Sequence, residues 1–523
     1  MDPSTNTDSL IQPFGEVSFE IEETKLGALW ETYFFEHTNF VDEALDPETY
    51  LIIGRRGSGK STLCEYFSHQ NKIKNSRCLH VGKAESYHLE LFNVAKKLDC
   101  TSELATQKLA EIWEYSLWQL IFKELTKTNP EFKAMLETST DNYKQNATPG
   151  NIFKLILKGV LNKHLMTTGS EVVDSFGTKK TGKKLQTYID KALAIFKKNP
   201  IILIVDSREQ YDKNNDPEMW IISALVQSAS NFNVKYAGRG MHIKVCVADE
   251  IFPYLEETFI TNTLKYIRNP LYLYWRPKDL VRLICWRYFK YLKIYNKINY
   301  TESQIDWDSF KDIYEKIWVP YFGEYIINRR GVKEKTLPYI LRHTHLRPRQ
   351  LIIICNRIAK IARQKKTFPV LKEEAIREGV LHAELELANE LINSYKNIYP
   401  HGGDIISALE GMPMEFKGSE LNKAAPRTAS QWLPGEYNPY EFKKFLIELG
   451  VVGRKRDKTD DQSKIIQADF EFAMRGRVMV TEKDTCVIHP MFYSKLNINK
   501  TNPVDYCVYP FPEHPDFEVL KKL

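Results

Sequence analysis

Short apolar runs alternate with amphipathic stretches through the first half of the chain. Nearly every position within these runs is apolar, which is typical of strands buried on both faces of a parallel sheet. Strands that alternate with helices predict an α/β fold whose helices cover both faces of the sheet. The predicted strands are Tyr50–Ile53, Arg77–Val81, Ile201–Val205, Ile243–Val247 and Leu271–Trp275.

The pattern becomes purely helical after residue 276. Apolar residues recur three and four positions apart in PKDLVRLICWRYFKYL and in RQLIIICNRIAKIARQ, which predicts long amphipathic helices. Beyond residue 399, shorter helical stretches precede short strand-like runs that are joined by basic turns. This last pattern predicts a winged-helix-like α+β domain.

These changes of pattern predict the domain boundaries. The segments are an N-terminal arm at 1–27, a core at 28–275 with a helical insertion at about 88–195, a helical lid at 276–398, a winged-helix-like domain at 399–500 and a C-terminal tail at 501–523. The arm is predicted from a polar start that is interrupted by proline and glycine.

A glycine-rich loop follows the first predicted strand. It fits the pattern G-x-x-x-x-G-K-[ST] with Gly54, Arg55, Arg56, Gly57, Ser58, Gly59, Lys60 and Ser61, and it continues into Thr62. The glycines let the backbone approach a phosphate, Lys60 places its charge on the β- and γ-phosphates, and the Ser61 hydroxyl ligates Mg²⁺. Thr62, in the first turn of the next helix, can contact the α-phosphate. A chance glycine-rich turn is the alternative, but the strand before the loop and the helix after it favour ATP and Mg²⁺ as cofactors.

An acid ends the apolar run IILIVD. Asp206 at the tip of that strand is a candidate Mg²⁺ ligand, and a strand-end cap is the alternative. P-loop ATPases usually carry a second acid immediately afterwards to orient the attacking water. Here Ser207 and Arg208 intervene before Glu209, which is either that second acid or a solvated loop acid.

Further candidates lie at other strand and helix ends. Asp249 follows the strand IKVCV and is a candidate γ-phosphate sensor or a helix cap. Arg268 could reach the nucleotide of a neighbouring subunit, or it could be a surface arginine. Arg347 and Arg349 flank Pro348 at a helix start, where a cation opposes the helix dipole. Bound phosphate would explain these two arginines, and a structural salt bridge is the alternative.

Basic residues in the predicted wing suggest contact with a phosphate backbone. They are Arg454, Lys455, Arg456, Arg475 and Arg477. Wings bind DNA in a sequence-independent manner through such residues, but they also dock proteins. The lysine-rich residues 179–184 are either another phosphate contact or a flexible solvated loop.

Composition narrows the class of protein. A net charge of +6 over 523 residues permits a local nucleic-acid site without indicating one. No signal-like start and no bilayer-length apolar run are present, which predicts a soluble cytoplasmic protein without a membrane partner. His489 is expected to be structural, and no protease, nuclease or deaminase motif is present. The cysteines form no CxxC pair and are expected to be free thiols; they are Cys64, Cys78, Cys100, Cys246, Cys285, Cys355, Cys486 and Cys507.

The order of these features resembles the AAA+-like and STAND-like P-loop ATPases, nearest to the origin-recognition-type branch. Within them the chain is similar to bacterial stand-alone ATPases of defence islands and mobile elements. The resemblance implies a parallel sheet of order 5-1-4-3-2, a helical lid over the nucleotide and ATP-dependent assembly. The missing acid beside Asp206 departs from the family pattern and predicts slow turnover.

The sequence therefore predicts an ATP-binding, slowly hydrolysing switch or sensor subunit, with a role in bacterial anti-phage defence implied by the resemblance. It is expected to form a homo-oligomer, to act on a partner effector protein, or both. The alternatives are a DNA-binding ATPase of the loader or initiator type, which would use the wing, and a P-loop kinase.

Overall fold

The structure of the chain is a computed structural model. It describes residues 11–46, 48–70, 75–81, 91–98, 100–137, 179–207, 212–260, 262–329, 331–435, 437–456, 465–473, 477–498 and 507–510.

Helices and strands are labelled in chain order. The longer helices are α1 (Phe19–Leu26), α2 (Asn39–Leu45), α3 (Lys60–Gln70), α4 (Ser102–Thr128), α5 (Pro130–Glu137), α6 (Lys179–Phe196), α7 (Asp216–Tyr236), α8 (Pro277–Ile294), α9 (Thr336–Leu341), α10 (Pro348–Gln364), α11 (Glu373–Ser394), α12 (Gly402–Ser407), α13 (Gly418–Ala424) and α14 (Pro439–Glu448). The strands are β1 (Leu51–Gly54), β2 (Arg77–Val81), β3 (Ile201–Asp206), β4 (Met241–Ala248), β5 (Leu271–Tyr272), β6 (Tyr325–Ile327), β7 (Lys333–Lys335), β8 (Glu415–Lys417), β9 (Val452–Lys455), β10 (Ile465–Asp469), β11 (Thr485–Ile488) and β12 (Cys507–Tyr509). Short helical turns include Trp30–Tyr33, Phe252–Tyr254, Thr263–Tyr266, Phe310–Ile313 and Val319–Phe322.

The chain folds into two compact units. The first, Asn39–Leu273, contains the glycine-rich loop and is called the P-loop unit. The second joins the described residues of Met1–Thr38 to those of Tyr274–Leu523 and is called the discontinuous unit. The predicted boundary at residue 28 therefore differs from the structure, because residues up to Thr38 pack with the C-terminal half of the chain.

A five-stranded parallel sheet forms the centre of the P-loop unit. Its order is β2-β3-β4-β1-β5, which confirms the predicted order 5-1-4-3-2. β1, β3 and β4 are buried along their whole length, as their apolar sequences require. The register places Asp206 beside Cys246, so that β3 and β4 end at the same edge as the loop after β1.

The predicted helical insertion contains α4, α5 and α6 among its described residues. Helix α4 packs along α7 through an aromatic cluster in which Trp118 contacts Phe122, Phe232 and Tyr236. Because α6 begins at Lys179, the backbone of residues 179–184 is helical, and the loop predicted there is wrong. Lysine and glutamine favour helices, and the amphipathic stretch that follows anchors this one through Ile189 and Ala192.

The N-terminal arm predicted for residues 1–27 is wrong for its described part. Phe14 is completely buried and stacks on Tyr288 with 4.6 Å between the ring centroids. In α1, the Glu22 carboxylate is buried and accepts hydrogen bonds from both Nη groups of Arg287, at 2.8 and 3.0 Å. Residues 14–26 are thus a packed part of the discontinuous unit, and the contacts that hold them include the Phe14 ring and the buried Glu22–Arg287 ion pair.

The C-terminal part of the discontinuous unit is a second sheet of order β12-β10-β9-β11-β8, accompanied by α12, α13 and α14. β9 pairs antiparallel with β10 and β11, whereas β12 pairs parallel with β10. β12 lies within the predicted tail at 501–523, so the C-terminal domain extends beyond its predicted end at residue 500. Helices joined to a small antiparallel sheet are compatible with the winged-helix interpretation, which remains a prediction.

Buried histidines in this unit give its stability a pH dependence. His489 is completely buried, and burial lowers its pKa to about 3. Its Nδ1 accepts a hydrogen bond from the N–H of Met491, so this nitrogen carries no proton and the ring is neutral. The neutral state fits the structural role expected of His489.

We expect acid to destabilise the protein through His489. Its pKa is about 6.5 in the unfolded chain and lower in the folded one, so the unfolded state gains protons first as the pH falls below 6.5. Between pH 7 and pH 5 this histidine should cost about 2 kcal/mol of unfolding free energy. Urea unfolding at both pH values measures the loss, which should shrink in His489→Gln and persist in the exposed control His401→Gln. An unchanged loss in His489→Gln would contradict the assignment.

Candidate functional site

The glycine-rich loop follows β1 at the edge of the sheet where β3 and β4 also end. A side chain at Gly54 would overlap Ser58 Oγ and lie 3.1 Å from Leu273 Cβ, so only glycine fits there. Gly57 and Gly59 have φ angles of 81° and 97°, in the region that glycine adopts without strain. These conformations curl the loop into the N-terminus of α3.

Lys60 is the first residue of α3, and its side chain folds back onto the glycine-rich loop. Its Nζ donates hydrogen bonds to the carbonyl oxygens of Gly54 (2.7 Å) and Arg55 (3.2 Å). The side chain is 4% exposed, so its charge lies in a partly desolvated place beside the helix N-terminus. A cation and backbone N–H groups together form the environment that a phosphate requires.

Ser61 and Asp206 meet although they are far apart in the sequence. The Ser61 hydroxyl donates to Asp206 Oδ2 at 2.8 Å, and Asp206 is 4% exposed at the end of β3. A hydroxyl and a carboxylate beside a phosphate loop are oxygen ligands of the kind that Mg²⁺ prefers, with the substrate phosphates completing the set. The residues present therefore fit a bound Mg²⁺.

Two acids after β4 hold the first variable residues of the loop. Asp249 Oδ2 lies 3.2 Å from Arg55 Nε, and the Asp249 N–H donates to the Gly54 carbonyl. Glu250 is buried, and its Oε1 accepts the N–H of Arg56 at 2.9 Å. The turn at Phe252–Tyr254 has no side-chain cap, so Asp249 is not the helix cap considered as its alternative role. Glu250 was not predicted, because no sequence motif distinguishes this acid from Asp249 beside it.

Arg268 is exposed on the surface of the P-loop unit. Its Nε donates to the carbonyl of Lys265 at 3.2 Å, and its backbone N–H donates to the Tyr50 hydroxyl at 3.1 Å. Neither of these two bonds joins Arg268 to the glycine-rich loop. The position suits either of the two roles that the sequence left open.

The two candidate lid arginines belong to the discontinuous unit. Arg347 is buried and is the N-cap residue of α10, with Pro348 at the first helical position as predicted. Arg349 Nε donates to the carbonyl of Val17 at 2.9 Å, and its Nη1 lies 3.4 Å from Glu390 Oε1. The salt bridge that was the alternative for Arg349 is therefore present.

The basic residues of the predicted wing are arranged differently from the prediction. Arg454 and Lys455 lie within β9 and not in a turn. Arg454 and Arg456 both pair with Asp469, at 3.4 and 2.6 Å, and Lys455 pairs with Glu415 at 2.9 Å. Arg477 is exposed, whereas Arg475, like Glu209 near β3, lies outside the described residues.

The cysteines that the structure describes are free. Cys64, Cys246, Cys285, Cys355 and Cys486 are buried. Burial raises the pKa of the Cys285, Cys355 and Cys486 thiols, and the hydrogen bond with Cys246, together with burial, raises the pKa of Cys64. The Cys64 and Cys246 sulfur atoms lie 3.1 Å apart beneath the loop. Within the described ranges, no group of three or more His, Cys, Asp or Glu side chains is placed to hold a metal ion, and no helix is long and apolar enough to cross a membrane.

The sheet order and the loop between β1 and α3 define the class of fold. This is an α/β P-loop NTPase core with a helical insertion, followed in the chain by helices and a C-terminal α+β sheet. The loop residues, Lys60, Ser61 and Asp206 meet at one edge of that core.

Comparison with known proteins gives distant structural similarity. No family model and no curated protein matches the chain. Among solved structures it is similar to the Aeropyrum pernix ORC2 protein in ADPNP–ADP complexes, with 14% identity, 86% of this chain and 90% of that chain covered, and a TM-score of 0.35. The chain is also similar to CDC6P from Pyrobaculum aerophilum, with 11% identity and a TM-score of 0.28. That match covers 86% of this chain and 85% of the CDC6P chain. The ADP form of the Aeropyrum pernix protein has 13% identity, 85% and 84% coverage, and a TM-score of 0.26.

Proposed function

We propose that this protein is an ATP-binding, slowly hydrolysing P-loop ATPase whose nucleotide state controls its assembly or its contacts with a partner protein. The observation that carries the proposal is the 2.8 Å bond between Ser61 and Asp206, with Lys60 buried in the adjacent loop. A hydroxyl, a carboxylate and an ammonium group in this arrangement match the needs of a nucleotide phosphate and its cation.

In this proposal the loop binds the phosphates and the ends of β3 and β4 orient them. Lys60 exchanges its carbonyl partners for the β- and γ-phosphates, and the N–H groups around Gly57 and Gly59 surround the phosphate chain. Ser61 and Asp206 would hold Mg²⁺, which neutralises phosphate charge when it is bound. Thr62 contacts the α-phosphate from the first turn of α3.

Slow turnover follows from what comes after Asp206. Ser207 is buried, and its N–H donates to the carbonyl of Cys246 at 3.2 Å, so the residue next to Asp206 offers no carboxylate to an attacking water. Glu209 is the proposed water-orienting acid. A group that must reach from two residues further along orients water less well, which favours a switch over a motor.

Three arginines complete the proposal. Arg268 would reach the nucleotide of a neighbouring subunit from its exposed position, and Arg347 and Arg349 would contact the γ-phosphate from the lid. Arg349 would have to leave both the Val17 carbonyl and Glu390 to do so. The pair with Glu390 is long, at 3.4 Å, and opposes this little.

Phosphate release and particle mass, measured together with and without ATP–Mg²⁺, test the function. We expect slow phosphate release and an ATP-dependent increase in mass. A chain that stays monomeric and turns over rapidly would contradict the switch. Formation of ADP only after a small acceptor is added would support the kinase alternative instead.

A DNA-handling ATPase is the second candidate, and the observation that favours it is the exposure of Arg477 and the partial exposure of Arg454. Arg477 is exposed, and the Arg454 side chain keeps 39% of its surface exposed despite its bond to Asp469. Adding duplex DNA to the same assay distinguishes the candidates, because phosphate contacts give binding that weakens steeply with salt. Loss of that slope in an Arg454/Arg456/Arg477 triple alanine variant would favour the DNA candidate. The role in anti-phage defence remains a prediction from the sequence resemblance.

A further inference from the structure

The peptide group that joins Arg55 to Arg56 is bonded at both of its edges. Its carbonyl oxygen accepts hydrogen bonds from Lys60 Nζ at 3.2 Å and from the N–H of Ser58 at 3.0 Å. Its N–H donates to Glu250 Oε1 at 2.9 Å. Because a planar trans peptide directs its C=O and its N–H to opposite sides, Lys60 and Glu250 bond to opposite edges of one peptide. This peptide cannot turn over without breaking all three bonds.

Glu250 determines which edge of the peptide faces the end of β4. Its side chain belongs to a residue that is only 7% exposed, two positions after the last residue of β4. A carboxylate accepts hydrogen bonds and donates none, so it attracts the N–H edge of a peptide and repels the carbonyl edge. A buried carboxylate is also costly to leave without a donor, which favours keeping the Arg56 N–H in place.

The hydrogen bond of Glu250 reaches Lys60 through this peptide. The carbonyl of Arg55 is one of two oxygens that bond to Lys60 Nζ, and the other is the carbonyl of Gly54, at 2.7 Å. The Gly54 carbonyl also accepts the N–H of Asp249 at 3.1 Å. The two residues that follow one another after β4 therefore fix both carbonyl groups on which Lys60 rests. A loop that is already ordered loses less conformational freedom when its ligand binds.

We infer that Glu250 is a positioning residue of the nucleotide site, which holds the Arg56 N–H and so keeps the phosphate loop and Lys60 in the shape that binds a nucleoside di- or triphosphate. The inference rests on the proposed function, since it concerns the same site. Glu250 does not contact the phosphates, because its charge would repel them. ATP and ADP share the phosphates next to the nucleoside, so Glu250 supports the binding of both nucleotides about equally.

Calorimetry with ATP–Mg²⁺ and with ADP–Mg²⁺ tests the inference. Glu250→Ala should weaken the binding of both nucleotides about 10-fold, the size expected for a lost hydrogen bond to a charged group. Glu250→Leu fills the buried space without an acceptor and should show the same loss, which covers the case that the alanine variant does not fold. Glu250→Gln keeps an acceptor oxygen at the same reach and should stay within about 3-fold of the wild type. The exposed control Glu256→Ala should leave both affinities unchanged.

Steady-state phosphate release separates positioning from a merely structural role. In folded Glu250→Leu, the KM for ATP should rise about 10-fold while kcat changes less than about 3-fold, because the lost binding is shared by the ground state and the transition state. A merely structural role would lower the midpoint of urea unfolding and leave KM and both affinities of the folded protein unchanged. Rescue of KM by Glu250→Gln attributes the effect to the hydrogen bond.

The outcomes distinguish the inference from the proposed function. If the wild-type chain binds neither nucleotide, the proposed function is overturned. If it binds both, and folded Glu250→Leu binds them as tightly as the wild type, the function stands and the inference about Glu250 is overturned. Binding in Glu250→Gln as weak as in Glu250→Leu would also overturn the inference, because an acceptor for the Arg56 N–H would then not be sufficient.

Discussion

Replacing Lys60 with alanine is expected to lower the affinity for ATP about 100-fold. The ammonium group is 4% exposed and bonds to two carbonyl oxygens of the loop, so it is already desolvated and aimed where the phosphates would lie. A charge in such a place interacts with phosphate far more strongly than a solvated one. Calorimetric titration with ATP–Mg²⁺ measures the loss.

The control for Lys60→Ala is Lys197→Ala, which removes an exposed lysine from the same unit. Both variants should retain the circular dichroism spectrum of the wild-type protein. If folded Lys60→Ala binds ATP as tightly as the wild type, the glycine-rich loop is not the nucleotide site.

The second large effect is expected from Asp206→Asn. The amide oxygen can still accept the Ser61 hydroxyl, so the end of β3 keeps its geometry while it loses the negative charge that favours a cation. Transition-state stabilisation worth several kcal/mol depends on that cation, and phosphate release should fall at least about 100-fold. ATP binding should fall much less, because Lys60 and the loop remain.

Magnesium dependence is the more specific measurement for this variant. The Mg²⁺ concentration that gives half-maximal phosphate release should rise in Asp206→Asn and stay unchanged in Asp190→Asn, a surface carboxylate of α6. Equal turnover in wild type and Asp206→Asn at all Mg²⁺ concentrations would mean that Asp206 only caps its strand.

The P-loop unit is predictable from the sequence because its signals are local or follow from one rule of sheets. The loop motif occupies consecutive residues, with an apolar strand before it and an amphipathic helix after it. Parallel strands that alternate with helices end at a common edge, so an acid at the tip of IILIVD should lie near the loop. The Ser61–Asp206 bond has this origin, although the two residues are 145 positions apart.

The remaining features depend on long-range partners that leave no periodic pattern. Phe14 lies in a mostly polar segment, and its contact with Tyr288, together with the buried pair of Glu22 and Arg287, explains why that segment is packed. β12 is three residues long, and its parallel pairing with β10 cannot be read from so short a run. The sequence places Asp249 at a strand end. Its pairing with Arg55 depends on the side-chain rotamers of both residues, which the sequence does not show. Asp469 similarly pairs with Arg454 and Arg456, which the sequence placed in a basic turn of the wing.

The division of the discontinuous unit has a consequence for synthesis on the ribosome. Phe14 and Glu22 are translated before the whole of Asn39–Leu273, but their partners Tyr288 and Arg287 come after it. At about 5–20 residues per second, the early segment waits on the order of tens of seconds while the P-loop unit emerges. The P-loop unit can therefore fold first, and the nascent chain exposes an unpaired aromatic ring and an unpaired acid until the second half of their domain is made.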